Sequence, residues 1–311
     1  MTAAVISAGR RYLPRGWTDF GLQLAIWFGF LAAYQVARGV ADRDPTRAFA
    51  NGLRVISWEE GHAHHLFELT FQNIAASSRL LELAVSWTYW NSEFTVIGLL
   101  LLWVYLRRHE AFANFRNTIL LANVIGLVGY VLVPTAPPRM FPSFGFADTL
   151  GSIGGLNHGS GLVELAANPY AAMPSLHAAD ALIAGITLAY VCRNRIAKAA
   201  WALWPAWVSF SVMATANHFW LDVVAGVGVA LIALAIVHRR RVARVRQRPA
   251  RDRDRAQRPR ADRAHAAAHR RRLAGAGDAR VVDLLELGVH RSRARAPVGL
   301  PSAQRGVRPL P

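Results

Sequence analysis

Cysteine and lysine are almost missing from this chain: among 311 residues there is one of each, Cys192 and Lys198. A lone cysteine excludes an intramolecular disulfide, and Cys192, inside an apolar run, reads as a small buried hydrophobe. Acidic residues are scarce too, 19 against 36 basic ones. The resulting charge of +17 is unevenly spread: from Arg239 to Pro311 twenty-one arginines face six acids, a net +15, which leaves about +2 for the preceding 238 residues. That final stretch contains no aromatic side chain, so it lacks the stacking groups of a nucleic-acid surface, and no nucleic-acid partner is expected. With little hydrophobic periodicity and much Arg, Ala and Pro, residues 239–311 are expected to be a disordered cytoplasmic tail lying near anionic headgroups. A cleavable leader is missing as well: the first apolar stretch starts late, is long and lacks a small-residue cleavage site, so it reads as a retained anchor.

What the sequence has in abundance is apolar length. Hydrophobic residues make up 53%, ten tryptophans are present, and the mean hydropathy is +0.20, values of a membrane protein. A bilayer core roughly 30 Å thick needs about 20 predominantly apolar residues at 1.5 Å each. Six segments meet that need: Trp17 to Val36, Ser86 to Leu106, Thr118 to Pro134, Ser175 to Cys192, Ala200 to Ala216 and Phe219 to Val237. The expected fold is therefore all-α, one membrane domain over residues 1–238 with six transmembrane helices. From Arg38 to Val85 the chain is too polar to cross but repeats apolar residues at helical spacing through Leu66, Leu69, Ile74 and Leu80, as interfacial amphipathic helices do. A loop rich in Pro, Gly and Ser runs from Thr135 to Ala172.

Short-loop arginines set the orientation. Arg10, Arg11 and Arg15, then Arg107, Arg108 and Arg116, then Arg193, Arg195 and Lys198, and the tail all fall on one side. That side is expected to be cytoplasmic and to hold both termini, in a multi-pass protein of the cell membrane. The segments Met173-Pro174-Ser175-Leu176-His177 and Asn217-His218-Phe219-Trp220-Leu221-Asp222 then share the outer face.

Ionisable groups at a membrane edge are costly and point to function. Residues i and i+4 share a helix face, so Asp222 is expected to orient the ring of His218, leaving a neutral nitrogen able to attack phosphorus. His177 is placed to hand a proton to a leaving oxygen. Ser175 is a natural N-cap whose following amides favour an anion, and Arg139 carries a planar fork suited to phosphate oxygens. Each piece alone has an ordinary structural reading; four on one face of one bundle make coincidence improbable.

The order Pro137-Pro138-Arg139, Pro174-Ser175-Leu176-His177 and Asn217-His218-x-x-x-Asp222 resembles the three signature segments of the type 2 phosphatidic acid phosphatase superfamily. The wording Pro134-Thr135-Ala136-Pro137-Pro138-Arg139 and Ala172-Met173-Pro174-Ser175-Leu176-His177 is similar to its inositolphosphotransferase branch, which includes inositol phosphorylceramide synthases. The likeness covers about Trp87 to Gly226. It implies a six-helix membrane enzyme working through a phosphohistidine without metal or other cofactor: His218 as nucleophile, Asp222 as its orienting carboxylate, His177 as acid, Arg139 and Ser175 as phosphate ligands. The substrate would be a lipid phosphate and the acceptor water or a polyol. Val212 and Leu176 stand where the phosphatase branch carries arginine and glycine, and its opening lysine has no clear counterpart. These departures favour the transferase branch.

Two further clusters bear weighing. Glu93, with Asn217, is a candidate for the substrate entrance or for touching an acceptor hydroxyl. Glu59, Glu60, His62, His64, His65 and Glu68 include imidazoles and carboxylates at helical spacing, but match no zinc signature, and read better as the polar face of an interfacial helix. A catalytically silent, transporter-like bundle is the rival from another class.

Overall fold

A computed structural model describes residues 13–41, 44–152 and 169–240. Apart from Arg239 and Arg240, the expected tail lies outside the described residues. Among the described residues the structure is helical, with one isolated parallel bridge between Thr135 and Ala171. Six helical stretches fall on the six apolar segments. Helix α1 is Gly16–Ala41, followed by α2 (Pro45–Ala63) and α3 (Phe67–Ala76). α4 (Arg79–Asn91) continues through a π turn, Ser92–Val96, into α5 (Ile97–Arg107). Then come α6 (His109–Leu132), α7 (Leu176–Val191), α8 (Arg195–Ala214) and α9 (Trp220–Arg240).

Helices α6 and α9 are long and apolar enough to cross a bilayer, while α7 is apolar but shorter. Length and composition thus support two crossings among the described residues rather than six. In the most apolar windows of α6 and α9 only 39% and 28% of residues are buried within the protein. Most of their surface therefore faces outward, unlike the core helix of a water-soluble fold.

Helix ends follow local chemistry. Asp44 caps α2 by accepting from Arg47 N at 2.9 Å, with Pro45 at its first position, where proline's missing N–H costs nothing. Asn194 caps α8 by accepting from the amides of Ile196 and Ala197. α7 runs through the middle, packed on α6, α8 and α5, around a core that includes Ile97, Val104, Phe115, Ile119, Leu176 and Ile183. Close approach is set by two glycines. A Cβ on Gly126 would meet Leu176 at 2.5 Å, and one on Gly226 would meet the Ser175 carbonyl oxygen at 2.1 Å.

Between residues 44 and 85 the chain is mostly helical, as its periodicity predicts, but α2 does more than lie on a surface. Arg47 and Asn51 donate to the carbonyls of Leu132 and Pro134 at 2.7 and 2.8 Å, and Ala136 N donates to Ala48 O at 3.0 Å. These bonds satisfy backbone groups that the end of α6 leaves open, and they lead the chain into Pro137-Pro138-Arg139.

Candidate functional site

Three connections build the site. After α6, Thr135 N donates to Tyr170 O and Ala172 N to Thr135 O, at 2.9 and 3.2 Å, which fixes the carbonyl of Ala172. Ser175 then opens α7 with its hydroxyl accepting from Ala178 N at 3.4 Å, and His177 follows in the first turn. After α8 the chain reverses tightly: the amides of Asn217 and His218 both donate to Val212 O, at 3.1 and 3.2 Å, and Ala216 takes a left-handed φ of 53°. That conformation costs a residue with a Cβ about 1 kcal/mol or more, so it is held by its surroundings. The Arg139 amide supplies one hold, donating to Ala216 O at 2.8 Å.

The two histidines meet: their ring centroids are 5.5 Å apart at 60°. His177 stacks on Tyr89 at 4.7 Å, and its Nε2 donates to the Tyr89 carbonyl at 3.1 Å, with Glu93 Oε2 at 3.4 Å. Tyr34 donates to the other oxygen of Glu93 at 3.5 Å. Arg139 donates through Nη1 to the side-chain oxygen of Asn217, whose amide nitrogen donates to Thr215 O at 2.9 Å. Tyr34, Tyr89, Glu93, Tyr130, Arg139, His177, Asn217 and His218 line one polar pocket. Its water-accessible space of about 40 Å³ has room for about three waters.

His218 Nδ1 lies 2.8 Å from Ala172 O and 3.7 Å from Asp222 Oδ2. Asp222 thus stands beside the ring, as its spacing predicts, without being its hydrogen-bond partner. A backbone carbonyl makes the bond, because Asp222, in the first turn of α9, turns its Oδ2 back to the Phe219 amide at 2.8 Å. An acidic side chain three residues past a helix cap commonly does this. Burial, and to a lesser degree the positive Arg139, push the His218 imidazole down to about 4, so the ring is neutral near pH 7.

Ser175 is fully buried, and its carbonyl side packs on Gly226. It caps α7 and is not among the residues lining the pocket. Leu176 packs on Gly126 and Val212 joins a core cluster with Ala181 and Val208. The polar interfacial face expected of Glu59 and Glu68 is overturned, since both are fully buried. His64 is the left-handed cap of α2 and His65 Nε2 lies 2.6 Å from Thr70 Oγ1. Among the described residues no group of three His, Cys, Asp or Glu side chains is placed to hold a metal ion.

Sequence reasoning missed Tyr34, Tyr89 and Tyr130, which lie within or beside apolar segments. In hindsight the available signal was helical spacing, which puts Tyr89 four residues before Glu93, on the same face.

Two histidines and a guanidinium sharing one pocket in an apolar helical bundle suit phosphoryl-transfer chemistry on a lipid-borne phosphate. The chain belongs to the PAP2 superfamily, whose profile matches residues 54–236; it is an enzyme of that superfamily. Over 139 residues it is 27% identical to phosphoinositol dihydroceramide synthase of Bacteroides thetaiotaomicron, a match covering 40% of this chain and 45% of that relative's length. The chain therefore spans less than half of that relative. No solved structure matches it.

Proposed function

We propose that this protein transfers a phosphoryl or phospho-alcohol group from a lipid phosphate, in the manner of inositolphosphotransferases, through a phosphohistidine on His218. The observation that carries the reading is the 5.5 Å approach of His177 and His218 in one pocket with Arg139. With Nδ1 bonded to Ala172 O, the lone pair on Nε2 attacks phosphorus and the bond from phosphorus to the leaving oxygen breaks, while His177 gives that oxygen a proton. An acceptor hydroxyl then attacks the phosphohistidine, its proton passes to His177, and the nitrogen–phosphorus bond breaks. Asp222 steadies the positive ring from 3.7 Å, Arg139 balances phosphate charge, and Glu93, which lines the pocket, is the group assigned to hold an acceptor hydroxyl.

A polyol acceptor is supported by the pocket's three tyrosines and Glu93, and by the likeness to the phosphoinositol dihydroceramide synthase of Bacteroides thetaiotaomicron. Six membrane crossings, with the pocket on the outer face and both termini in the cytoplasm, complete the proposal. The apolar α6 and α9, the family and the arginine distribution support it.

The test supplies labelled lipid phosphates to purified protein with and without inositol. Acid-labile label retained by the wild type and absent in His218→Ala is expected; unchanged turnover in that variant refutes the mechanism. Product formed only with inositol marks a transferase, and release to water alone marks a phosphatase.

A further inference from the structure

Glu59 on α2 and Glu68 on α3 are completely buried, yet neither borders the pocket. Each gives one oxygen to an amide at the start of α9. Glu68 Oε1 accepts from Trp220 N at 2.5 Å and Glu59 Oε1 from Leu221 N at 3.3 Å. The first N–H groups of a helix have no partner inside it and, with the helix dipole, make a natural seat for an anion. Here two protein carboxyls fill that seat, so substrate phosphate is left to side chains of the pocket.

The remaining oxygens, Glu59 Oε2 and Glu68 Oε2, are buried without a hydrogen-bond donor, and the two carboxyls meet at the amides of consecutive residues, Trp220 and Leu221. Two ionised carboxylates so close in an apolar setting repel strongly. A single proton between them supplies the donor that both lack. Burial and then the neighbouring Glu68 raise Glu59 to about 9, and burial raises Glu68. The titratable groups facing the pair are Asp222 on α9 and His65 in the turn between α2 and α3.

We propose that Glu59 and Glu68 form a one-proton carboxyl pair that positions the catalytic turn, holding the amides of Trp220 and Leu221 and, through them, the ring of His218. This rests on the reading of His218 as the nucleophile. Glu59 and Glu68 are positioning residues and do not touch substrate. With its proton, the pair draws the start of α9 against α2 and α3. When the proton leaves, two negative charges face each other and the turn loses its seat, so turnover falls on the alkaline side, near pH 9.

Full-length Glu59→Gln, Glu68→Gln, Glu59→Leu and Glu68→Leu, in detergent, separate positioning from simple support. Turnover of a labelled lipid phosphate is followed from about pH 6 to 10, together with hydrogen exchange at the amides of Trp220 and Leu221. A glutamine keeps the acceptor and carries a donor at every pH. Each glutamine variant is expected to hold kcat within about threefold of wild type at neutral pH and to lose the part of the alkaline fall that the pair adds to the limb set by His177 as general acid. Each leucine variant is expected to lose at least about tenfold in kcat with KM within about twofold, and to lose protection at the two amides. Folded leucine variants that keep kcat and protection overturn the proposal, as do glutamine variants with the wild-type alkaline limb. If leucine variants fail to fold, the glutamine pH profiles decide. If wild type turns over no lipid phosphate, the functional reading fails, and amide protection at neutral and alkaline pH still tests the pair.

Discussion

Nδ1 of His218 lies 2.8 Å from the carbonyl oxygen of Ala172, and this contact sets the state of the ring proposed as the nucleophile. A carbonyl can only accept, so Nδ1 carries hydrogen and Nε2 keeps its lone pair. The tautomer is chosen by backbone that the Thr135–Ala171 bridge holds in place, and no side-chain substitution removes that acceptor.

Asp222→Asn is therefore expected to be milder than in sites where a carboxylate alone holds the imidazole, for which the loss is about 10⁴-fold in kcat. A fall of about 10- to 100-fold is expected from weaker stabilisation of the positive ring at 3.7 Å. Initial rates beside His218→Ala check this; equal losses in the two variants would assign the tautomer to Asp222 instead.

Activity should resist acid. The neutral imidazole is the reactive form, and burial pushes His218 down to about 4, so the acid limb of kcat/KM is expected near pH 4, below histidine's ordinary range around 6.5. The sign for stability is the same. Between roughly 6.5 and 4 the unfolded chain binds a proton that the folded ring refuses, so His218 lowers stability as pH falls through that window. Rate profiles with thermal melts at matched pH give both readings, and an acid limb at the ordinary histidine value would contradict the buried neutral ring.

At Arg139 the shape of the cation matters as much as its charge. Nη1 is committed to Asn217, and a planar fork can hold that bond and a phosphate oxygen together, whereas an ammonium is a point charge. Arg139→Lys is expected to raise KM for the lipid phosphate by about tenfold and Arg139→Ala by more. A saturation series settles it, and an unchanged KM in both variants would remove Arg139 from phosphate binding.

Away from the pocket, Asn123 on α6 donates to both oxygens of Asp180 on α7, each at 3.0 Å. Removing the donor leaves a buried carboxyl unsatisfied, so Asn123→Val is expected to cost about 1–3 kcal/mol. Thermal unfolding in detergent is the measurement, and a variant melting with wild type would show that the pair contributes little to folding.

The helices were legible because apolar length is a one-dimensional signal: each predicted segment became helix, with ends displaced by one to nine residues. The meeting of His177, His218 and Arg139 was legible for a similar reason, since alternation of segments puts their ends on the same side. Glu59 and Glu68 were not. Their spacing reads the same whether the polar side of α2 and α3 faces water or the start of another helix, and only the docking of α9 onto that side distinguishes the cases. Asp222 shows a subtler limit. Spacing of i, i+4 brought it near His218, but a free helix amide competed for the same oxygen and won.

The π turn at Ser92–Val96 amounts to one extra residue wound into a helix, worth about 100° of rotation. On one side of it Tyr89 stacks on His177; within it sits Glu93, and beyond it Ile97, Leu100 and Val104 enter the core. Deleting a single residue here would let either the pocket side or the core side keep its facing, and not both. The length of this segment is therefore set by packing on both of its sides. Apart from Glu93, which the pocket uses, this turn depends on its length more than on its side chains, and a one-residue deletion would have to rebuild half the bundle.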